Sequence, residues 1–181
     1  MKPVRCYLGI GSNLERPREQ IARAVQSITV HPAITLLRQS PWYGSKAIGP
    51  GKQPDYLNGV IEIETSLGPE QLLQALQKIE ADQGRTHDVR WGARTLDIDI
   101  LLYGDQQIHS TTLEIPHPRI LERNFVLIPL ADLNPQLPLS WLGQVSTHSP
   151  NATKNETIST LLPTLSRDGL WLASEASANE K

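Results

Sequence analysis

The chain has 181 residues, with 17 Lys plus Arg against 19 Asp plus Glu and a formal net charge of -2. That is length for one domain with a real core, and it excludes a basic field that would hold nucleic acid by counterion release. The lone cysteine, Cys6, excludes an internal disulfide and reads as buried packing, and no apolar run reaches the length of a signal peptide or a membrane span. A single cytoplasmic, monomeric domain over 1–172 is expected, followed by a disordered tail over 173–181, with small molecules as partners and neither nucleic acid nor membrane.

Val4, Cys6, Leu8 and Ile10 alternate with Arg5, Tyr7, Gly9 and Gly11, the period of a half-buried strand ending at Gly11-Ser12-Asn13. Pro17 suits a helix start, and Ile21, Val25 and Ile28 fall on one face before His31-Pro32 stops it. Ile34 to Ser40 reads as a second strand. Gly44, Gly49, Pro50, Gly51 and Pro54 then crowd a segment expected to be a long irregular loop. Tyr56 to Thr65 alternates again, with Leu57, Ile61 and Ile63 on one side and Tyr56, Asn58 and Val60 on the other. Gly68-Pro69 opens a second helix with Leu72, Leu76 and Ile79 in a stripe, closed by Gln83-Gly84. An arginine-rich loop runs from Arg85 to Arg94, and Leu96 to Tyr103 is the fourth strand.

This order predicts an α+β fold: a ferredoxin-like sandwich with an antiparallel sheet, a βαββαβ core with helices on one face, plus C-terminal additions. Those additions are a small hairpin at Ile108 and Leu113 to Ile115, a short apolar helix from Asn124 to Leu133, and a Ser, Thr, Asn and Pro-rich loop from Ser146 to Thr157.

The chemistry concentrates in Arg90-Trp91-Gly92-Ala93-Arg94-Thr95-Leu96-Asp97-Ile98-Asp99-Ile100. On a strand, Asp97 and Asp99 project to the same side about 6.5 to 7 Å apart, while Ile98 and Ile100 face away. At an effective dielectric near 20 their repulsion is on the order of 3 kcal/mol, so a partly buried pair needs a cation. A pair of magnesium ions meets that need, and so do the flanking arginines; an isolated Asp-x-Asp favours structural ion pairs. Arg85, Arg90 and Arg94 clustered before the carboxylates, with Gly84 and Gly92 as hinges, shift the balance toward Mg-bound polyphosphate. No Gly-x-x-x-x-Gly-Lys-Ser/Thr loop occurs, and Gly9-Ile10-Gly11 lacks the third glycine of a dinucleotide fingerprint.

The run from Arg90 to Leu101 resembles the signature of the hydroxymethyl-dihydropterin pyrophosphokinase family. Gly11-Ser12-Asn13-Leu14, Gln53-Pro54-Asp55-Tyr56-Leu57-Asn58 and Ile115-Pro116-His117-Pro118 follow the family's order. The resemblance spans Val4 to Leu133, and beyond it only helices are anticipated. It implies transfer of pyrophosphate from ATP to a hydroxymethyl-dihydropterin, in folate biosynthesis, with two Mg ions on Asp97 and Asp99. It implies catalytic parts for Arg85, Arg94, Asp97 and Asp99. ATP contacts are implied at Glu80, Arg85, Arg90, Trp91, Arg94, Ile100, His117 and Arg123. The pterin would lie between Tyr56 and Phe125, read by Asn58, with Ser45, Ile48 and Trp91 also lining its pocket. Lys46 and Ala47 replace a pair of family prolines, and His87 and Pro118 also depart from the pattern.

Taken singly, these residues have blander readings: Tyr56 and Trp91 as packing rings, His117 as a structural histidine, Glu80 as a solvent-facing acid. Trp42, Trp141 and Trp171 read as packing. A rival for the whole chain is a non-catalytic ferredoxin-like module binding a nucleotide or RNA on an open sheet face, but aromatics make up only 5% of the chain and its charge is negative.

Overall fold

The computed structural model describes residues 2–14, 16–47, 53–84, 95–143 and 156–173. The strands are β1 (Val4–Ser12), β2 (Ile34–Gln39), β3 (Tyr43–Ser45), β4 (Tyr56–Thr65), β5 (Asp97–Tyr103), β6 (Ile108–His109), β7 (Glu114–Ile115) and β8 (Leu170–Leu172). The helices are α1 (Pro17–Thr29), α2 (Pro69–Asp82) and α3 (Asn124–Leu133). The main sheet runs β5-β1-β4-β3-β8, with β2 also on β4, and every pairing is antiparallel. β2 and β3 share one edge of β4: Ile34 to Gln39 lie along its second half and Tyr43 to Ser45 along its first. Between them, the Val60 N–H donates to Ser40 Oγ.

Period-two alternation sorts the sheet into two chemically different faces. Cys6, Leu8, Ile10, Ile61, Ile63, Ile98 and Ile100 pack with Ile21, Ala24 and Ile28 of α1 and Leu72, Leu76 and Ile79 of α2. Burial pushes the Cys6 thiol up to about 12, so it stays protonated as a packing group. The other face carries Tyr7, Val60, Leu101 and Leu102 against Val126, Leu127, Leu130 and Leu133 of α3, with Leu137, Leu139, Leu142 and Ile158 beyond. α1 and α2 therefore share one face, as expected, and α3, an addition after them, covers part of the other. α3 is apolar all round, and a helix of that kind has to be enclosed rather than laid on a surface.

Two local devices set the second face. Leu101 is an extra residue in the β1–β5 ladder, since Tyr7 pairs with Leu102 and Leu8 with Ile100. This bulge keeps both Leu101 and Leu102 under α3. Further along, the buried Glu62 carboxylate meets Arg5 and Arg38 and accepts from the Tyr7 hydroxyl, which accepts from Asn134 at the end of α3. Burial first, and the neighbouring Glu62 after it, raise the Tyr7 pKa.

The segment read as irregular around Gly44 contains β3, because its register comes from β4 and β8 rather than from local sequence. Beyond α3 the structure has short 3-10 turns at Leu139–Leu142, Ile158–Thr160 and Leu162–Thr164, and then β8, where only helices were anticipated. Of the loop expected from Ser146 to Thr157 only Glu156 and Thr157 are among the described residues, and of the tail expected over 173–181 only Ala173. Ala173, placed at the start of that tail, donates its N–H to the Trp42 carbonyl.

Candidate active site

Among the described residues, the second face of the sheet is open where α3 does not reach. There lies a cavity of about 150 Å³, with Gly9, Gly11, Leu101, Asp97, Asp99, Asn58 and Tyr56 among its lining. Ser45 and Lys46 stand on one side, Arg119, Glu122, Arg123, Phe125 and Val126 on the other. Strand register explains the arrangement. Asp97 pairs with Gly11, Gly11 with Asn58 and Asn58 with Tyr43, so these four share one row on one face. Asp99 is in the next row with Gly9 and Val60. The glycines form the floor: a Cβ on Gly11 would fall 2.6 Å from Asn58 Oδ1, so any side chain there would displace the amide.

Three hydrogen bonds position the carboxylate strand and the turn beside it. The Ser12 hydroxyl donates to the Thr95 carbonyl (2.6 Å), and the Ile98 N–H donates to Glu80 Oε1 of α2 (2.7 Å). Asn13 Nδ2 donates to the Pro54 carbonyl (3.1 Å), tying the turn after β1 to the segment leading into Tyr56. Glu80 is only 3% exposed, on the helix side of the sheet, and its hydrogen bond from the Ile98 N–H holds β5 between the two aspartates. Ile100 is likewise buried on that side.

At the carboxylate end, Arg123 Nη1 is 3.3 Å and His117 Nε2 3.7 Å from Asp99 Oδ2. His117 Nδ1 accepts from the Arg119 N–H (3.1 Å), so in the neutral ring the proton is on Nε2, facing Asp99. Burial, helped by the positive charge of Arg123, pushes the His117 pKa down to about 4. Arg119 Nε lies 2.8 Å from Glu122 on the rim. At the ring end, Asn58 Nδ2 donates to the Ser45 hydroxyl (2.8 Å), and the Arg123 guanidinium sits 5.8 Å from the Phe125 ring centre. Tyr43 donates to Asp132 of α3 (2.6 Å).

Ser45, Tyr56, Asn58, Asp97, Asp99, Arg123 and Phe125 thus meet in one cavity, with His117 against Asp99. Ile48, Arg85, Arg90, Trp91 and Arg94 lie outside the described residues. The sequence reading missed Arg119 and Glu122 on the rim, the glycine floor and the anchoring part of Ser12 and Asn13. The floor was readable, since Gly9 and Gly11 fall on the strand face opposite Leu8 and Ile10. Arg119 and Glu122 sit in irregular chain with no period to mark them.

The donor set bears on which metal could be held here. Among the described residues no group of three or more His, Cys, Asp or Glu gathers as an ion cage. Two carboxylates on an open cleft suit magnesium, which keeps waters and takes phosphate oxygens for the rest of its sphere.

Fold and cleft define a class: a mixed α and β protein whose antiparallel sheet carries a cleft lined by two carboxylates, an arginine and two aromatic rings. The model of the 7,8-dihydro-6-hydroxymethylpterin-pyrophosphokinase family (HPPK) matches residues 7–135, and the chain belongs to that family. It is 50% identical over 135 residues to the 2-amino-4-hydroxy-6-hydroxymethyldihydropteridine pyrophosphokinase of Pseudomonas aeruginosa, covering 75% of this chain and 83% of that one. The Haemophilus influenzae protein of the same name is 46% identical over 136 residues, covering 75% and 85%. Among solved structures, Plasmodium falciparum HPPK-DHPS with pterin and p-hydroxybenzoate matches with a TM-score of 0.62 at 14% identity over 91% of this chain. HPPK-DHPS in complex with substrates gives 0.64 at 13% over the same share. This chain spans 42% and 43% of those two chains, and the likeness shows the fold alone.

Proposed function

We propose that this chain transfers the β,γ-pyrophosphoryl group of MgATP to 6-hydroxymethyl-7,8-dihydropterin, giving AMP and the pterin diphosphate, a step toward folate. The observation that carries this reading is the shared row: Asp97 and Asn58 face one cavity across two strand spacings, about 10 Å apart. That span leaves room for a bicyclic ring, read at one edge by the Asn58 amide, with its hydroxymethyl arm directed at the carboxylates. Tyr56 and Phe125 supply faces for stacking, and Ser45 orients the reading amide. We assign Ile48 and Trp91, which lie outside the described residues, to pterin binding on the family resemblance alone.

In the reaction the hydroxymethyl oxygen forms a bond to the β-phosphorus in line, and the bond from that phosphorus to the α,β-bridging oxygen breaks. AMP leaves with the electron pair, and the hydroxyl proton passes to water. Asp97 and Asp99 would hold magnesium, two ions in our reading, and the metal when bound supplies charge neutralisation to the polyphosphate. Arg123 and His117 keep Asp99 aimed into the cleft. Arg85 and Arg94 stabilise charge spreading onto the bridging and leaving oxygens, while Arg90, Trp91, His117 and Arg123 contact ATP. Ile98 bonds outward to Glu80, and Ile100, two residues on, turns its main-chain groups to the same outer edge. We assign Ile100 a main-chain contact to ATP there, and Glu80 the task of holding that edge.

We read the sheet order as a ferredoxin-like sandwich whose second face is partly covered by α3. That cover leaves little open sheet for RNA, so the binding-module reading loses its surface. We place the enzyme in the cytoplasm as a monomer. Incubation with MgATP should yield AMP only when the pterin is present, one AMP per pterin diphosphate. AMP formed at the same rate without the pterin would refute the proposal.

A further inference from the structure

The ring end of the cleft has two walls from different parts of the chain, β3 with Ser45 and Lys46, and the start of α3 with Arg123 and Phe125. Both are fastened to one stretch, residues 166–173, which lies beyond the family match at 7–135 and outside the cavity lining. On the α3 side, Asn124, between Arg123 and Phe125, donates its Nδ2 to the Ser166 carbonyl (2.9 Å). On the β3 side, β8 pairs Ser45 with Leu170, Gly44 with Trp171 and Tyr43 with Leu172. The Lys46 N–H donates to the Gly169 carbonyl (3.0 Å), and Lys46 Nζ lies 5.3 Å from the Trp171 ring centre. Trp171 rests directly on Gly44, where a Cβ would come within 2.2 Å of the indole.

We propose that residues 166–173 are a positioning strap that fixes the spacing of the two walls and thereby the affinity for the flat ring substrate. Trp171 and Asn124 act as positioning residues, and the inference rests on the pterin reading given above. β3 has three residues, too few to hold a fixed place on β4 alone, and β8 closes its other edge. Any shift of β3 moves the Ser45 hydroxyl that holds the Asn58 amide, and so moves the group that reads the ring. The carboxylates stand on β5, across β1, β4 and β3 from the strap. Loosening the strap should therefore weaken ring binding and spare MgATP.

Trp171→Ala and Gly44→Ala break the same contact from opposite sides, and both can be made in the full chain. Each should raise KM for the hydroxymethyl-dihydropterin about fivefold. The value of kcat and KM for MgATP should stay within about twofold, and the double variant should be no worse than either single one. Asn124→Ala should move the same parameter from the other wall. Unchanged KM values, or a fall in kcat with both KM values unchanged as a partly unfolded sample would give, would overturn the strap. A wild-type protein that makes no AMP with the pterin would overturn the functional reading and the strap with it; an active wild type with unaltered variants would overturn the strap alone.

Discussion

Neighbouring residues of β5 enter two different environments. Ile98 and Ile100 are 5% and 4% exposed beneath the helices, in an apolar core. Asp97 and Asp99, one peptide away, stand half-buried over a floor of glycines beside arginine and histidine. The lesson is one of division of labour. A filled face makes the strand rigid, and rigidity lets the opposite face hold two like charges at a fixed spacing without collapsing around them. Glu80 links the two, reaching from the helix layer to the main chain between the aspartates.

If the faces divide the work in this way, changes on the cleft face should cost rate and changes on the helix face should cost stability. Asp97→Asn should lower kcat by a factor on the order of 10² to 10³ while the thermal midpoint changes little. A parallel fall in rate and midpoint would break the division. Leu76→Ala, at a fully buried position of α2, should cost about 3 kcal/mol in denaturant unfolding, with kcat per folded molecule unchanged. Loss of rate in fully folded protein would count against it.

His117 probes the cleft face by pH. Its folded pKa is about 4 against an ordinary 6.5, so below pH 6.5 the unfolded chain binds a proton that the fold refuses. In the metal-free protein this contribution is complete above about pH 6.5 and is lost as pH falls toward 4, amounting to about 3 kcal/mol. His117→Gln should flatten that part of the stability profile; an unaltered profile would show that the imidazole is not held neutral. The smallest effect should come from Gly11→Ala. Its added carbon crowds Asn58 Oδ1, and KM for the pterin should rise about tenfold, with KM for MgATP little changed. An equal rise in both would mean that the floor serves the whole cleft rather than its ring end.

Much of this division can be read along the chain. Alternation in β1, β4 and β5 places Asp97 and Asp99 together and Ile98 and Ile100 opposite, and the three-to-four spacing of Leu72, Leu76 and Ile79 marks the face of α2. The uniform apolarity of α3 marks it for enclosure but does not say which side of the sheet it covers. β3 and β8 were illegible because three residues carry no period, and each exists through pairing with distant chain. Within the cleft, the carboxylates and Asn58 follow from strand parity. The Ser12, Asn13 and Glu80 anchors do not, since each meets a partner that only the folded chain brings near.

The most direct measurement concerns the distance between the two ends of the cleft. With Mn²⁺ in place of magnesium, a non-hydrolysable ATP analogue and the hydroxymethyl-dihydropterin bound together, the pterin's methylene protons should be strongly broadened by the paramagnetic ion. That broadening should vanish in Asp97→Asn. Methylene protons left sharp in the wild-type complex, while the pterin is shown to be bound, would contradict a cleft in which these aspartates face the reacting oxygen.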